Sequence, residues 1–370
     1  MAAPGMEPER YELDERPAHA FALDRRELFR VLGGGVAIAL VVRGDAHAQE
    51  SGRGRRGNQM PRQVAAWLHI DAAGAVTVYT GKVEVGQNIR TSLTQAVCEE
   101  LRVPTEDVEL VMGDTDRVPF GRGTFAARSS MIGGCALKAA AEAIVEKAKP
   151  VAAHLMEATP ADVEFAHGSF RIAGTDRSIP LMEVAGAFYG KTGIPSRFGL
   201  GLEASGSYAM DAPSHPANYP NGCHCCEVEI DPETGVVRID RYTVVDDVGR
   251  VINPMICEGQ VQGGLAQGIG QALLENVIYD PDTAQLLSGT WLDYTMPHAA
   301  QLPSFELYFR ETPTAANPLG VKGSGQAGCM AAPQTIMSAV LDALKPMGIT
   351  DMDMPATPER LWRAIKAASP

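Results

Sequence analysis

Residues 245–275, VDDVGRVINPMICEGQVQGGLAQGIGQALLE, decide how this chain folds. They open at the end of a strand-like run over 236–245 and pass the turn signal Asn253-Pro254 into a helical segment over 257–274. On that helix Gln260, Gln267 and Gln271 stand at i, i+7 and i+11 and share one face. The same helix carries Gly263, Gly264, Gly268 and Gly270 in its interior. Each glycine costs about 1 kcal/mol relative to alanine, so the four sacrifice about 4 kcal/mol. Compensation comes from close approach of a cofactor or a second backbone, or from tight helix packing alone.

Upstream, a strand over 226–230 and the turn over 231–235 complete a hairpin. Cys223-His224-Cys225-Cys226 lacks the second Cys-x-x-Cys or spaced His pair of a closed zinc or iron–sulfur site, and reads as the entry to a buried strand. Earlier still, the pattern predicts a strand from Trp67, a turn at Ala73-Gly74, a strand over Val76–Thr80, a helix over Ile89–Leu101 and a strand over 108–112. An alanine-rich helix over 135–156 follows, bent or broken near Pro150, then strands across 163–172. Downstream come a hairpin across Asp280-Pro281-Asp282, a strand near Phe305–Phe309 and a closing helix over 330–344. The fold class is therefore α+β, with mixed sheets and packed helices. Turn-rich 212–222 divides it into lobes over 64–211 and 212–370.

In front of the lobes, residues 49–63 form a basic, glycine-rich linker. Residues 1–48 resemble a twin-arginine leader, with Arg25-Arg26, an apolar run over 31–42 and Ala46-His47-Ala48 as a small-residue cleavage signal. Export to the periplasm is the expectation. The 370-residue chain is 45% hydrophobic and 21% charged, suited to a globular protein with tight loops, and its formal charge of −13 argues against a nucleic-acid groove. Seven cysteines follow no disulfide framework.

Three further loops carry chemistry. Glu84-Val85-Gly86-Gln87-Asn88 lies between a strand and a helix start, where free N–H groups and the helix dipole favour an anion and Gln87 can read a ring or a phosphate. An ordinary strand-to-helix turn has the same sequence. Residues 121–130, GRGTFAARSS, offer hydroxyls, arginines and flexible backbone suited to phosphate, a composition shared with plain exposed loops. Residues 317–328, NPLGVKGSGQAG, enter a helix, but Lys322 departs from phosphate-loop spacing.

Together TGKVEVGQN, GDTDRVPFGRGTFAARSS, the 245–275 stretch and NPLGVKGSGQAG resemble the molybdenum-cofactor subunits of the xanthine dehydrogenase, aldehyde oxidase and carbon monoxide dehydrogenase large-subunit family, in their C-terminal half. The resemblance runs from about residue 64 to 365. It implies the family's second molybdopterin-binding domain, a molybdenum–molybdopterin cofactor in plain or cytosine dinucleotide form, no direct protein ligand to the metal, and hydroxylation of aldehydes or N-heterocycles. Gly86, Gln87, Asn88, Gln260, Gln267, Val321 and Gly325 would then contact the cofactor, with Ser129 and Ser130 at its phosphate end. Asn88 replaces a glycine common in the family. Gln326 occupies the position of the family's glutamate base, and an amide cannot take up a proton at neutral pH. Glu275 and Asp293 are candidate substitutes. Family subunits usually carry an additional N-terminal half with a G-G-F-G-x-K loop that is not found in these residues, so the resemblance implies a partner chain that supplies it. An iron–sulfur subunit would take the electrons and a small molecule would be the substrate. The contrary reading is a cofactor-binding or assembly protein without turnover, a degenerate copy that has lost the glutamate.

Overall fold

The computed structural model describes residues 63–118, 121, 123–190, 194–199, 201–209 and 218–368. The leader over 1–48, the linker up to residue 62, Arg122 and the inter-lobe stretch over 210–217 lie outside the described residues.

The first hydrophobic core forms around β1 (Gln63–Ile70) and β2 (Val76–Thr80), which pair antiparallel through a tight turn. Asp71 closes that turn, its carboxylate accepting the N–H groups of Ala73 and Ala75 at 2.8 and 2.9 Å, while Gly74 supplies φ +89°. Strict alternation buries Val76, Val78 and Thr80. Helix α1 (Ile89–Leu101) returns the chain to β3 (Val108–Val111), parallel to β2. A π-helical turn over Ser129–Gly134 leads into α2 (Cys135–Leu155), whose alanine face lies on the sheet. Of the two outcomes its sequence allows at Pro150, a bend or a break, the helix is not broken there: Val151, Ala152 and Ala153 beyond the proline are all buried, and that packing outweighs one lost hydrogen bond. The small antiparallel sheet β4 (Val163–Ala166), β5 (Ser169–Ile172) and β6 (Ser178–Pro180), with α3 (Leu181–Tyr189), caps this core. Strand β7 (Leu202–Ala209) pairs with β1 and completes the sheet in the order β3-β2-β1-β7.

The second core rests on β8 (Asn221–Ile230) and β9 (Val237–Asp247), an antiparallel hairpin, with β10 (Phe305–Phe309) parallel to β9. Helices α4 (Pro254–Leu273), α5 (Ala327–Leu344) and α6 (Pro358–Ala368) cover one face. The Cys223–Cys226 run is not a buried strand entry: β8 is an edge strand, with His224 and Cys226 inward and Cys223 and Cys225 exposed. The segment at Asp280 is a turn closed by one bridge between Tyr279 and Leu286 rather than a full hairpin. Both cores lie within one compact unit over Met60–Pro370 and meet at Met131, Ile132 and Val321.

Candidate functional site

The loop before α1 is built around Glu84. Its carboxylate accepts the N–H groups of Gly86 (2.8 Å), Asn88 (3.0 Å) and Arg90 (3.0 Å). Partial burial pushes its pKa up, and these three N–H donors more than reverse the effect, leaving it below the ordinary value. The anion that the helix start favours is therefore supplied by the chain itself. Gln87 is also engaged locally, its Nε2 donating to Val83 O (2.9 Å) and its Oε1 accepting from Val85 N–H (2.7 Å). What the loop leaves open is Gly86, whose φ of +101° exposes its backbone and whose missing Cβ would meet nothing within 4 Å. Asn88 sits at φ 58°, a left-handed position in which asparagine is the best-tolerated replacement for glycine.

Residues 121–130 are sewn to this loop. Thr124 Oγ1 donates to Val83 O (2.7 Å) and accepts from Val83 N–H (3.2 Å), and Gly123 N donates to Gly81 O (3.0 Å). Glycine is required at 121, where a Cβ would stand 2.4 Å from Gly81 Cα. Ser129 is buried and hydrogen-bonded to Thr124 Oγ1 (3.2 Å), whereas Ser130 stays half-exposed. Ala126 and Ala127 both adopt positive φ, 51° and 53°, a strain of about 1–3 kcal/mol each of the kind held at functional sites. Ala127 is where the last loop arrives: a Cβ on Gly323 would lie 2.5 Å from both its Cβ and its carbonyl oxygen.

The glycines of α4 divide by environment. Gly264 faces the backbone of Gly328 and Cys329 on α5, and Gly268 faces Ala332 and Pro333, so those two serve close helix packing. Gly270 is covered by the Glu275 carboxylate and Pro297. Gly259 and Gly263 have open space above them. Gln260 shares that region and points at the last loop, with its Oε1 3.7 Å from where a Gly325 Cβ would stand; Gln267, further along, is exposed. Asn253 fixes the start of α4, its side chain accepting from Ile256 N–H (3.1 Å) and donating to Gln95 Oε1 on α1 (3.0 Å).

The last loop is anchored independently of residue 326. Val321 is buried, bridges to Gly249 and is held at N and O by the Asn317 side chain (3.2 and 2.8 Å), so its own N–H and C=O are already paired. Lys322 pairs with Asp247, which also accepts from Gly249 N–H (2.8 Å) and Thr312 N–H (3.2 Å). Burial raises the Asp247 pKa, but Lys322 and these N–H groups prevail and hold it below the usual carboxylate value. Gly325 is exposed, and Gln326 stands exposed at the N-cap of α5 without a side-chain cap bond.

Gln326 borders a cavity of about 530 Å³, walled by Ala126, Ala127, Arg128, Met131 and Met330 and floored by the open end of the β8/β9 hairpin. Neither proposed substitute base reaches it: Glu275 is bonded to Tyr294 and Asp293 accepts from Thr290 Oγ1 (2.6 Å), and neither lines the cavity. A third acidic residue, Asp246, belongs to the cavity wall. Asp246 is buried, with Oδ1 3.3 Å from His224 Nε2, while His224 Nδ1 pairs with Tyr242 OH (3.1 Å). Burial drives the Tyr242 pKa strongly up, so that hydroxyl stays protonated. The signal was available in the alternation of Tyr242, Val244 and Asp246 along β9, which puts all three on the buried face.

The molybdopterin cofactor-binding domain family matches this chain over residues 9–303. The gamma subunit of the 6-hydroxypseudooxynicotine dehydrogenase complex of Paenarthrobacter nicotinovorans is 39% identical over 296 residues, 80% of this chain and 36% of that protein. The carbon monoxide dehydrogenase large chain of Hydrogenophaga pseudoflava is 34% identical over 300 residues, 81% of this chain and 36% of that one. Among solved structures, quinoline 2-oxidoreductase from Pseudomonas putida 86 superposes with a TM-score of 0.75 at 38% identity, covering 83% of this chain and 38% of that one. The chain thus spans little more than a third of the length of these relatives.

Proposed function

Since the chain belongs to the molybdopterin cofactor-binding family of molybdenum-hydroxylase large subunits, we propose that it forms one side of the cofactor and substrate site of an oxidoreductase that hydroxylates N-heterocycles or aldehydes, with water as the oxygen source. One observation carries this reading: three of the four loops converge on Ala127, Gly323 and Gln260, beside open backbone at Gly259 and Gly263. That arrangement fits a bulky flat group, since each bare Cα–H lets a ring approach where a Cβ would hold it away. Bound there, molybdenum–molybdopterin supplies the two-electron oxidation. The chain's part is to present Gly86, Gly259 and Gly263 as contact surface, to place Ser130 and Arg128 for a phosphate end, and to hold Gln260 and Gln326 by the reacting side. Relatives named for 6-hydroxypseudooxynicotine and quinoline favour an N-heterocycle over an aldehyde.

A partner chain with the remaining cofactor contacts and an iron–sulfur subunit belong to the same proposal, as does export by the twin-arginine route, supported by Arg25-Arg26 and the apolar run over 31–42. Molybdenum and pterin analysis of the complex purified from the periplasmic fraction tests it. Stoichiometric molybdenum is expected; a folded, partnered complex free of metal and pterin would favour the assembly-protein reading instead. In a loaded complex Gln326→Glu is expected to raise turnover, toward the about 10²- to 10⁴-fold that a general base is worth, because a carboxylate accepts a proton where the amide does not. An unchanged rate would place the base elsewhere.

A further inference from the structure

Seven cysteines are spread along the chain, and two of them, Cys223 and Cys225, are exposed. Cysteine is among the most buried of residue types, so a pair left in solvent needs a reason other than packing. The other five are buried or half-buried; burial pushes the Cys135 thiol up to about 11 and the Cys226 thiol up to about 12, which keeps both protonated and inert. Cys223 and Cys225 stand two residues apart on the edge strand β8, in register with Val245 and Thr243 of β9, and so project from the same face. Their sulfurs meet: the charge of Cys223, and then the hydrogen bond between the two thiols, raises the Cys225 pKa. Neither cysteine lines the cavity beside Gln326, so the pair is independent of the cofactor reading.

Strand geometry decides what such a pair can hold. Residues i and i+2 of a strand have Cα atoms about 6.6–6.8 Å apart, whereas a relaxed disulfide brings them to about 5.5–6 Å, so a direct S–S bond would buckle a strand that β9 holds in register. An ion bonded in line to both sulfurs at about 2.3 Å needs them only about 4.6 Å apart, which side-chain rotation supplies without moving the backbone. Among the described residues no cluster of three or more His, Cys, Asp or Glu side chains could hold a metal, so ions that require four protein ligands, zinc foremost, are not served. Soft thiolates with low coordination number select Cu(I). We propose that Cys223 and Cys225 form a two-coordinate site for Cu(I). Both thiols release their protons to solvent, two metal–sulfur bonds form, and copper keeps its oxidation state. The cation also removes the repulsion that the two thiolates would otherwise exert on each other.

The test uses the full chain with its co-purifying partners, kept anaerobic and given Cu(I) as its bathocuproine disulfonate complex, whose visible absorbance reports the copper transferred. A single equivalent per chain is expected to pass to the protein. Iodoacetamide labelling read by peptide mass spectrometry should modify Cys223 and Cys225 in the copper-free wild type and spare both once Cu(I) is bound, a comparison that needs no variant to fold. Cys223→Ser and Cys225→Ser should each weaken Cu(I) binding at least about tenfold, with Cys226→Ser unchanged, and Zn(II) should bind at least about tenfold more weakly than Cu(I). Failure of the copper-free pair to react, copper uptake that leaves the pair open to labelling, or affinity undiminished in both serine variants would overturn the proposal. Zn(II) bound as tightly as Cu(I) would overturn the two-coordinate assignment, and recovery of the pair as an intramolecular disulfide that resists reduction would overturn the geometric argument behind it.

Discussion

Gly263 and Gly264 are neighbours on α4 with the same intrinsic helix penalty and opposite surroundings, so alanine at each isolates the surroundings. Either substitution recovers about 1 kcal/mol of helix propensity. At Gly263 the new Cβ meets nothing within 4 Å, so the cofactor-free chain should gain the full amount. For a chain of this size that is about 2 °C in Tm. At Gly264 the Cβ would lie 2.8 Å from Cys329 N and 3.0 Å from Gly328 Cα, backbone atoms that cannot rotate away. Overpacking of that kind costs about 1–3 kcal/mol, so the net change ranges from nothing to a loss of about 2 kcal/mol, or up to about 4 °C. Thermal unfolding by circular dichroism measures both, and pterin and molybdenum content is read on the same preparations. Gly263→Ala should be more stable when empty and carry less cofactor, since its methyl group occupies the approach face. A Tm rise in Gly264→Ala equal to that in Gly263→Ala would refute the helix-packing account. Undiminished cofactor in Gly263→Ala would remove this glycine from the cradle.

Glu84→Ala removes the acceptor for three N–H groups at the start of α1 and should cost about 1 kcal/mol, visible as a lower denaturant midpoint at pH 7; an unchanged midpoint would show that water replaces it fully. Asp247 has a folded pKa below its unfolded value, so its contribution is complete above the unfolded carboxylate pKa of about 4 and disappears as pH falls through the folded value. Lys322→Met breaks that mostly buried pair and should cost about 3 kcal/mol at pH 7, with the gap to the wild type narrowing below pH 4. A gap of equal size at pH 7 and pH 3 would mean that the lysine acts through packing.

Elements governed by local pattern were legible to the residue: β2 in its alternation, α1 between its left-handed flanking residues, β10 in its short aromatic run. Properties that depend on what a segment packs against were not. The exposed face at Cys223 and Cys225 follows from β8 being an edge strand, which composition does not disclose. The occupation of the α1 N-terminus by Glu84 depends on Gly86 and Asn88 at positive φ, which fold the carboxylate back over the helix start. Asp246 was masked by its neighbour Asp247: the strand turns one inward toward His224 and gives the other to Lys322, and only the register separates their roles.

That division bears on what Gln326 means. The last loop is held by the Lys322–Asp247 pair, the Gly249–Val321 bridge, the Asn317 latch and the contact of Gly323 with Ala127, none of which involves the side chain of residue 326. Glutamine there leaves those anchors intact, so under the proposed function cofactor binding and base catalysis are separable properties of this chain.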